Sequence, residues 1–161
     1  METIHKERLI QMANHLLYGK LGHVKFDFST INSSCQDACG YAGCAMGEMP
    51  VIWSDCWQFH RGTVVNNSHD WNTSDEQIAN WFGINERERS HLFEAKHQNI
   101  IKYGGTELDH YATKEQVANN IFAFLKKKDP QFEKPQPEEK KVWDLKLVMG
   151  KTQEIEKVNA N

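Results

Sequence analysis

Thr113-Lys-Glu-Gln-Val-Ala-Asn-Asn-Ile-Phe-Ala-Phe-Leu-Lys-Lys-Lys128 is the stretch that decides the fold. Thr113 and Gln116 spell a capping box, in which the hydroxyl accepts from the backbone and the Gln side chain reaches back. Val117, Ile121, Phe124 and Leu125 recur at helical spacing on one face, and three lysines close the segment at the negative end of the helix dipole. Two further starts share the spelling, Ser74-x-x-Gln77 and Asn85-x-x-Glu88. The first predicts a helix to about Phe82 ended by Gly83. The second predicts one from Glu86 to His97 or beyond, before Gly104-Gly105. Near the start, Leu9, Met12/Ala13, Leu16/Leu17 and Leu21 form another apolar face, from about Ile4 to Leu21. Thr3 is available as its cap and Gly19 or Gly22 as its end. The expected fold is mainly α: a compact helical domain over residues 1–128 with a Pro- and charge-rich C-terminal tail, residues 129–161.

A minor β element is expected between Lys25 and Val65. Lys25-Phe26-Asp27-Phe28-Ser29-Thr30 alternates apolar and polar, and Val64-Val65 has strand character. From Asp37 the chain reads as a helix built from small residues, capped by Asp37 and stopped by Pro50. Gly40, Gly43 and Gly47 each cost about 1 kcal/mol there relative to Ala. Their presence points to close backbone approach, by a neighbouring helix or by a ligand. From Val51 to Asn72 the expectation is irregular chain with a hairpin or short helix. After Asp129-Pro130, prolines among Glu, Lys and Gln read as a linker or exposed tail. Val142-Trp143-x-Leu145-x-Leu147-Val148 interrupts it with enough apolar character to dock on its own domain or another protein. There is no internal repeat.

The 161 residues fit one domain, and 39% apolar with 25% charged residues can build a real core. A net charge of -3 leaves no broad basic footprint, so nucleic acid is disfavoured as a partner. The N-terminus has no signal-peptide pattern, and no apolar run approaches the ~20 residues of a membrane helix, so a cytoplasmic protein without membrane contact is expected. Cys35, Cys39, Cys44 and Cys56 are then expected to be thiols.

Several motifs carry possible chemistry. Zinc wants four ligands, usually from two knuckles. Cys39 and Cys44 would stand about 140° apart on a continuous helix, and no second knuckle follows, although His60 or His69 could complete a set. Buried structural thiols explain the cluster better. Gln36-x-x-Cys39-Gly40 before Cys44 is similar to the papain-like pattern around a nucleophilic Cys, but the spacing departs from it. His60, His69 and His91 are unassigned partners for such a thiol. His69-Asp70 is the dipeptide of helical metal-dependent phosphohydrolases, without the other ligands, and Asp109-His110 is its reverse. Ile78-Ala79-x-x-x-Gly83-Ile84-Asn85 matches a DNA-binding helix-turn-helix. Arg89, however, stands where an apolar residue is needed, and Glu86, Glu88 and Glu94 balance Arg87, Arg89 and Lys96. Trp53, Trp57, Trp71 and Trp81 lie in or beside a polar, loop-rich stretch. They are candidates for a planar-ligand pocket or a protein-binding hot spot.

Phe26-Asp27-Phe28-Ser29-Thr30, Cys39-Gly40-x-x-x-Cys44-Ala45-x-Gly47, Trp81-Phe82-Gly83-Ile84-Asn85-x-x-Glu88 and Thr113-x-x-Gln116-Val117-Ala118 follow one another in that order. This arrangement resembles a loose group of small uncharacterised bacterial and phage proteins over about Leu9 to Leu125. The resemblance implies a shared fold and a mobile-element origin, and carries no activity with it. The function expected is that of a non-enzymatic accessory or interaction protein, binding a host protein or a small-molecule ligand through Gly40, Tyr41, Gly43, Gly47, Trp53, Trp57 and Trp71. No cofactor or metal is assigned, and self-association is compatible with the sequence. The alternatives are a small cysteine- or metal-dependent hydrolase and a helix-turn-helix regulator.

Overall fold

The computed structural model describes residues 1–23, 25–28, 42–60, 63–67, 74–94 and 100–136. Its longest elements are the two expected from the strongest periodicities, α1 (Thr3–Tyr18) and α6 (Lys114–Lys128), and they pack on each other. Leu9, Met12, Ala13 and Leu16 of α1 are fully buried, as are Val117, Ala118, Ile121 and Phe124 of α6. The i, i+3, i+4 spacing puts each set on one stripe, so joining the stripes removes both from water. Both halves of the α6 capping box form: Gln116 N–H donates to Thr113 Oγ1 at 3.3 Å and Thr113 N–H to Gln116 Oε1 at 2.8 Å. At α1 the cap differs from expectation. Thr3 is the first helical residue, and Glu2 holds the N-cap without a side-chain bond. The helix ends at Gly19, whose N–H donates to His15 O at 2.8 Å, rather than running to Leu21.

The middle of the chain turns the corner predicted for it. Helix α3 (Ser74–Trp81) and helix α4 (Glu86–Phe93) are joined through Gly83 at φ +60, with Ile84 buried beneath. Asn85 and Glu88 form the second capping box. Helix α4 is shorter than its sequence suggests, because Glu94 turns extended (φ -128, ψ 138) and ends it well before His97. A single turn, α5 (Ile100–Tyr103), leads into Gly104 and Gly105 at φ +81 and +90. Asn120, 1% exposed on α6, fastens this turn. Its Oδ1 accepts from Thr106 N–H at 2.8 Å and its Nδ2 donates to Thr106 O at 2.7 Å. A Cβ on Gly105 would meet that Oδ1 at 2.5 Å.

The minor β element is present as two short ladders. Strand β1 (Lys25–Phe26) pairs in parallel with β2 (Ala42–Gly43), and β3 (Trp57–His60) pairs antiparallel with β4 (Thr63–Asn66), Phe59 opposite Val64. The small-residue helix expected up to Pro50 is corrected here. Ala42–Gly43 is strand, Met46–Glu48 is a 3₁₀ turn, and α2 (Met49–Ile52) follows with Pro50 in its first turn. Pro50 therefore starts a helix instead of stopping one, since its missing N–H would have no intrahelical partner there. Residues 37–41 lie outside the described residues, as does the apolar Val142 to Val148 run of the tail. Packing continues past Lys128: Phe132 is 6% exposed and stacks on Phe122 at 6.2 Å, and Lys6 pairs with Asp129 at 2.7 Å.

Removing bulk from the α1–α6 seam is expected to dominate any loss of a cap. Phe124→Ala should cost about 3–5 kcal/mol of unfolding free energy and Thr113→Ala about 1 kcal/mol, both measured by urea denaturation.

Candidate functional site

Three tryptophans gather beside the N-terminal helix. Trp53 caps the C-terminus of α2, Trp57 opens β3 and Trp81 closes α3. Their rings meet edge to face, Trp53 to Trp81 at 5.7 Å and Trp57 to Trp81 at 5.6 Å between centroids. Helix α1 supplies the polar wall through Arg8 and Gln11, three residues apart and so on one face. Gln11 Oε1 accepts from Trp53 Nε1–H at 3.0 Å. The Arg8 guanidinium lies 3.5 Å from the centroid of Trp81 and donates to the Trp81 carbonyl at 2.8 Å. Burial lowers the Arg8 pKa, and the neighbouring Cys56 works against that shift. Trp57 is 1% exposed, whereas Arg8, Trp53, Cys56 and Trp81 are half-buried, so the cluster has a closed floor and an accessible rim. The indole Nε1 atoms of Trp57 and Trp81 are buried with no hydrogen-bond partner among the described residues.

Of the residues predicted for binding, Trp53 and Trp57 are thus brought together, with Trp81 between them. Gly47 lies buried in the 3₁₀ turn, and Gly43 belongs to β2. Gly40, Tyr41 and Trp71 lie outside the described residues.

A second polar centre was not predicted. Glu48 is fully buried and shared by two histidines. His15 Nε2 lies 2.8 Å from Oε2, His23 Nδ1 lies 2.6 Å from Oε1, and Gly22 N–H donates to Oε2 at 2.9 Å. A carboxylate only accepts, so both imidazoles donate here. Burial alone would raise the Glu48 pKa, but the bonds from His15, His23 and Gly22 outweigh it and hold the carboxyl at about 2. His23 also meets Phe59 edge-on at 5.8 Å. The signal for this centre was a carboxylate inside the apolar run from Ala45 to Ile52, which needs a buried partner; no spacing rule names His15 and His23 as that partner.

Cys44 is 2% exposed, and burial pushes its thiol up against backbone N–H groups of Gly47 and Met46 that favour the thiolate. His91 is buried on Tyr103, and burial lowers its pKa; its Nε2–H meets the Gly104 carbonyl at 3.1 Å. Arg89 is 3% exposed and pairs with Glu94 at 2.7 Å and Asp75 at 3.3 Å, so it is directed into the α3–α4 corner. Asp109 Oδ1 accepts from Tyr111 N–H at 2.8 Å, as a turn residue does. Cys35, Cys39, His69 and Asp70 lie outside the described residues. Among the described residues, no three His, Cys, Asp or Glu side chains are grouped to hold a metal, and no helix is long and apolar enough to cross a membrane.

No protein family, no curated protein and no solved structure matches the chain.

The Glu48 carboxyl is held below its ordinary 4.5, so its stabilisation is present above that value and is lost as pH falls towards about 2. Glu48→Gln should therefore cost about 3 kcal/mol in urea denaturation at pH 7. The gap to the wild type should close between about pH 5 and pH 2. Peptide-resolved alkylation of the native protein should modify half-buried Cys56 well before Cys44, and equal rates would contradict the burial of Cys44.

Proposed function

We propose that this chain is a non-enzymatic accessory protein that acts by binding a host protein or a small ligand at the tryptophan cluster. One observation carries the reading: Trp53, Trp81 and Arg8 form a half-buried rim over a floor, Trp57, that retains unused hydrogen-bonding capacity. Rigid aromatic side chains beside an Arg are the composition of binding hot spots. The other candidates are occupied internally. Glu48 holds His15 and His23, Arg89 holds two acids, and Cys44 is enclosed with a raised pKa, which weakens the thiol-hydrolase and DNA-regulator readings. The resemblance of its motifs to those of small bacterial and phage proteins favours a mobile-element role.

Native mass spectrometry of the protein purified from its producing cells, repeated after denaturation, tests this. The expected result is a mass excess or a stoichiometric partner that denaturation removes, and that Trp53→Ala loses while its circular dichroism still shows the folded helical chain. A bare polypeptide in both proteins, with no partner, would sink the proposal.

A further inference from the structure

The geometry points to an organic anion, a carboxylate carried on an apolar body, as the ligand of the Arg8–Trp81 cluster; this rests on the binding role proposed above. An Arg guanidinium has five N–H donors and an indole has one, and neither accepts. Arg8 spends a hydrogen bond on the Trp81 carbonyl, and no acidic side chain among the described residues pairs with it. Trp57 Nε1–H and Trp81 Nε1–H are buried without an acceptor. Gln11 Oε1, on the same face of α1 as Arg8, already receives Trp53 Nε1–H. Beyond the weakly accepting Cys56 sulfur, what the cluster lacks is therefore a strong acceptor, a carboxylate in particular.

Burial sharpens the preference. A guanidinium moved partly out of water loses hydration that a carboxylate restores, and a charge-assisted bond is stronger in that setting than in bulk water. A cationic ligand is disfavoured, because Arg8 already covers the face of Trp81. The half-buried rings of Trp53 and Trp81 beside Arg8 supply apolar surface, so the anion should carry an apolar or aromatic body rather than being a small inorganic ion. Association would be local in origin, since the chain as a whole carries a net charge of -3.

Benzoate is a suitable probe, read through the indole N–H resonances of the ¹⁵N-labelled full chain, assigned with Trp57→Phe and Trp81→Phe. The expected result is saturable movement of both resonances at millimolar benzoate or below, weakened at least about 10-fold in Arg8→Gln. Arg8→Lys, which keeps the charge and loses the fork, should bind about 3-fold more weakly and decides the matter should Arg8→Gln fail to fold. No movement, unchanged affinity in folded Arg8 variants, or equal response to acetate or inorganic phosphate would each overturn the inference. A Trp53-dependent partner in native mass spectrometry alongside silent benzoate titrations would remove the carboxylate assignment alone and leave the binding role standing.

Discussion

Burial of the apolar stripe of α1 against α6 is the interaction on which everything else hangs. Leu9, Met12, Ala13 and Leu16 face Val117, Ala118, Ile121 and Phe124 in a seam from which water is excluded, and each large side chain there contributes about 1.5–3 kcal/mol. The seam also fixes the rotation of α1 about its own axis. Arg8, Gln11 and His15 follow at three- and four-residue steps, so they lie on a second stripe beside the apolar one. Lys6 reaches Asp129 beyond the end of α6. Once the apolar stripe is docked, the polar stripe has no freedom to face elsewhere.

The segment from Gly47 to Trp53 runs along that polar stripe in the opposite sense. Glu48 meets His15, and Trp53 meets Gln11 one helical turn earlier. This explains why Glu48 tolerates complete burial. A lone carboxylate in an apolar run would be protonated, but three donors from α1 and the Gly22–His23 turn make the charged form the stable one. The join is tight at Gly22, where a Cβ would lie 2.2 Å from Val51 Cγ2.

The helical frame was legible because its signals are local. The capping boxes at Asn85 and Thr113 and the left-handed Gly83 are each defined within four residues and appear in place. Local signals mislead where distant partners decide. Pro50 reads as a stop in isolation, yet it opens α2, because the chain before it is already committed to a 3₁₀ turn that buries Glu48. Glu94 ends α4 early, its carboxylate paired to Arg89. At the candidate site, Trp53 and Trp57 were marked by composition alone. Arg8 and Gln11 were not, since on sequence they look like solvated positions of an amphipathic helix. Nothing local couples Glu48 to histidines 25 and 33 residues away.

The polar stripe of α1 changes character along its length. At its C-terminal end, His15 donates to a fully buried carboxylate that is itself saturated. In the middle, Gln11 satisfies the indole of Trp53. At the N-terminal end, Arg8 finds a carbonyl and an aromatic face but no acid, beside two indoles with unspent donors. Polar groups in a finished core are paired, and a cluster of like-handed donors left at one end is the exception that calls for a cause. Folding alone would favour an apolar side chain at position 8, which would pack on Trp81 without placing a half-desolvated charge there. The cation at that position lies over Trp81 and donates to its carbonyl, and the binding role proposed for the cluster rests on that placement.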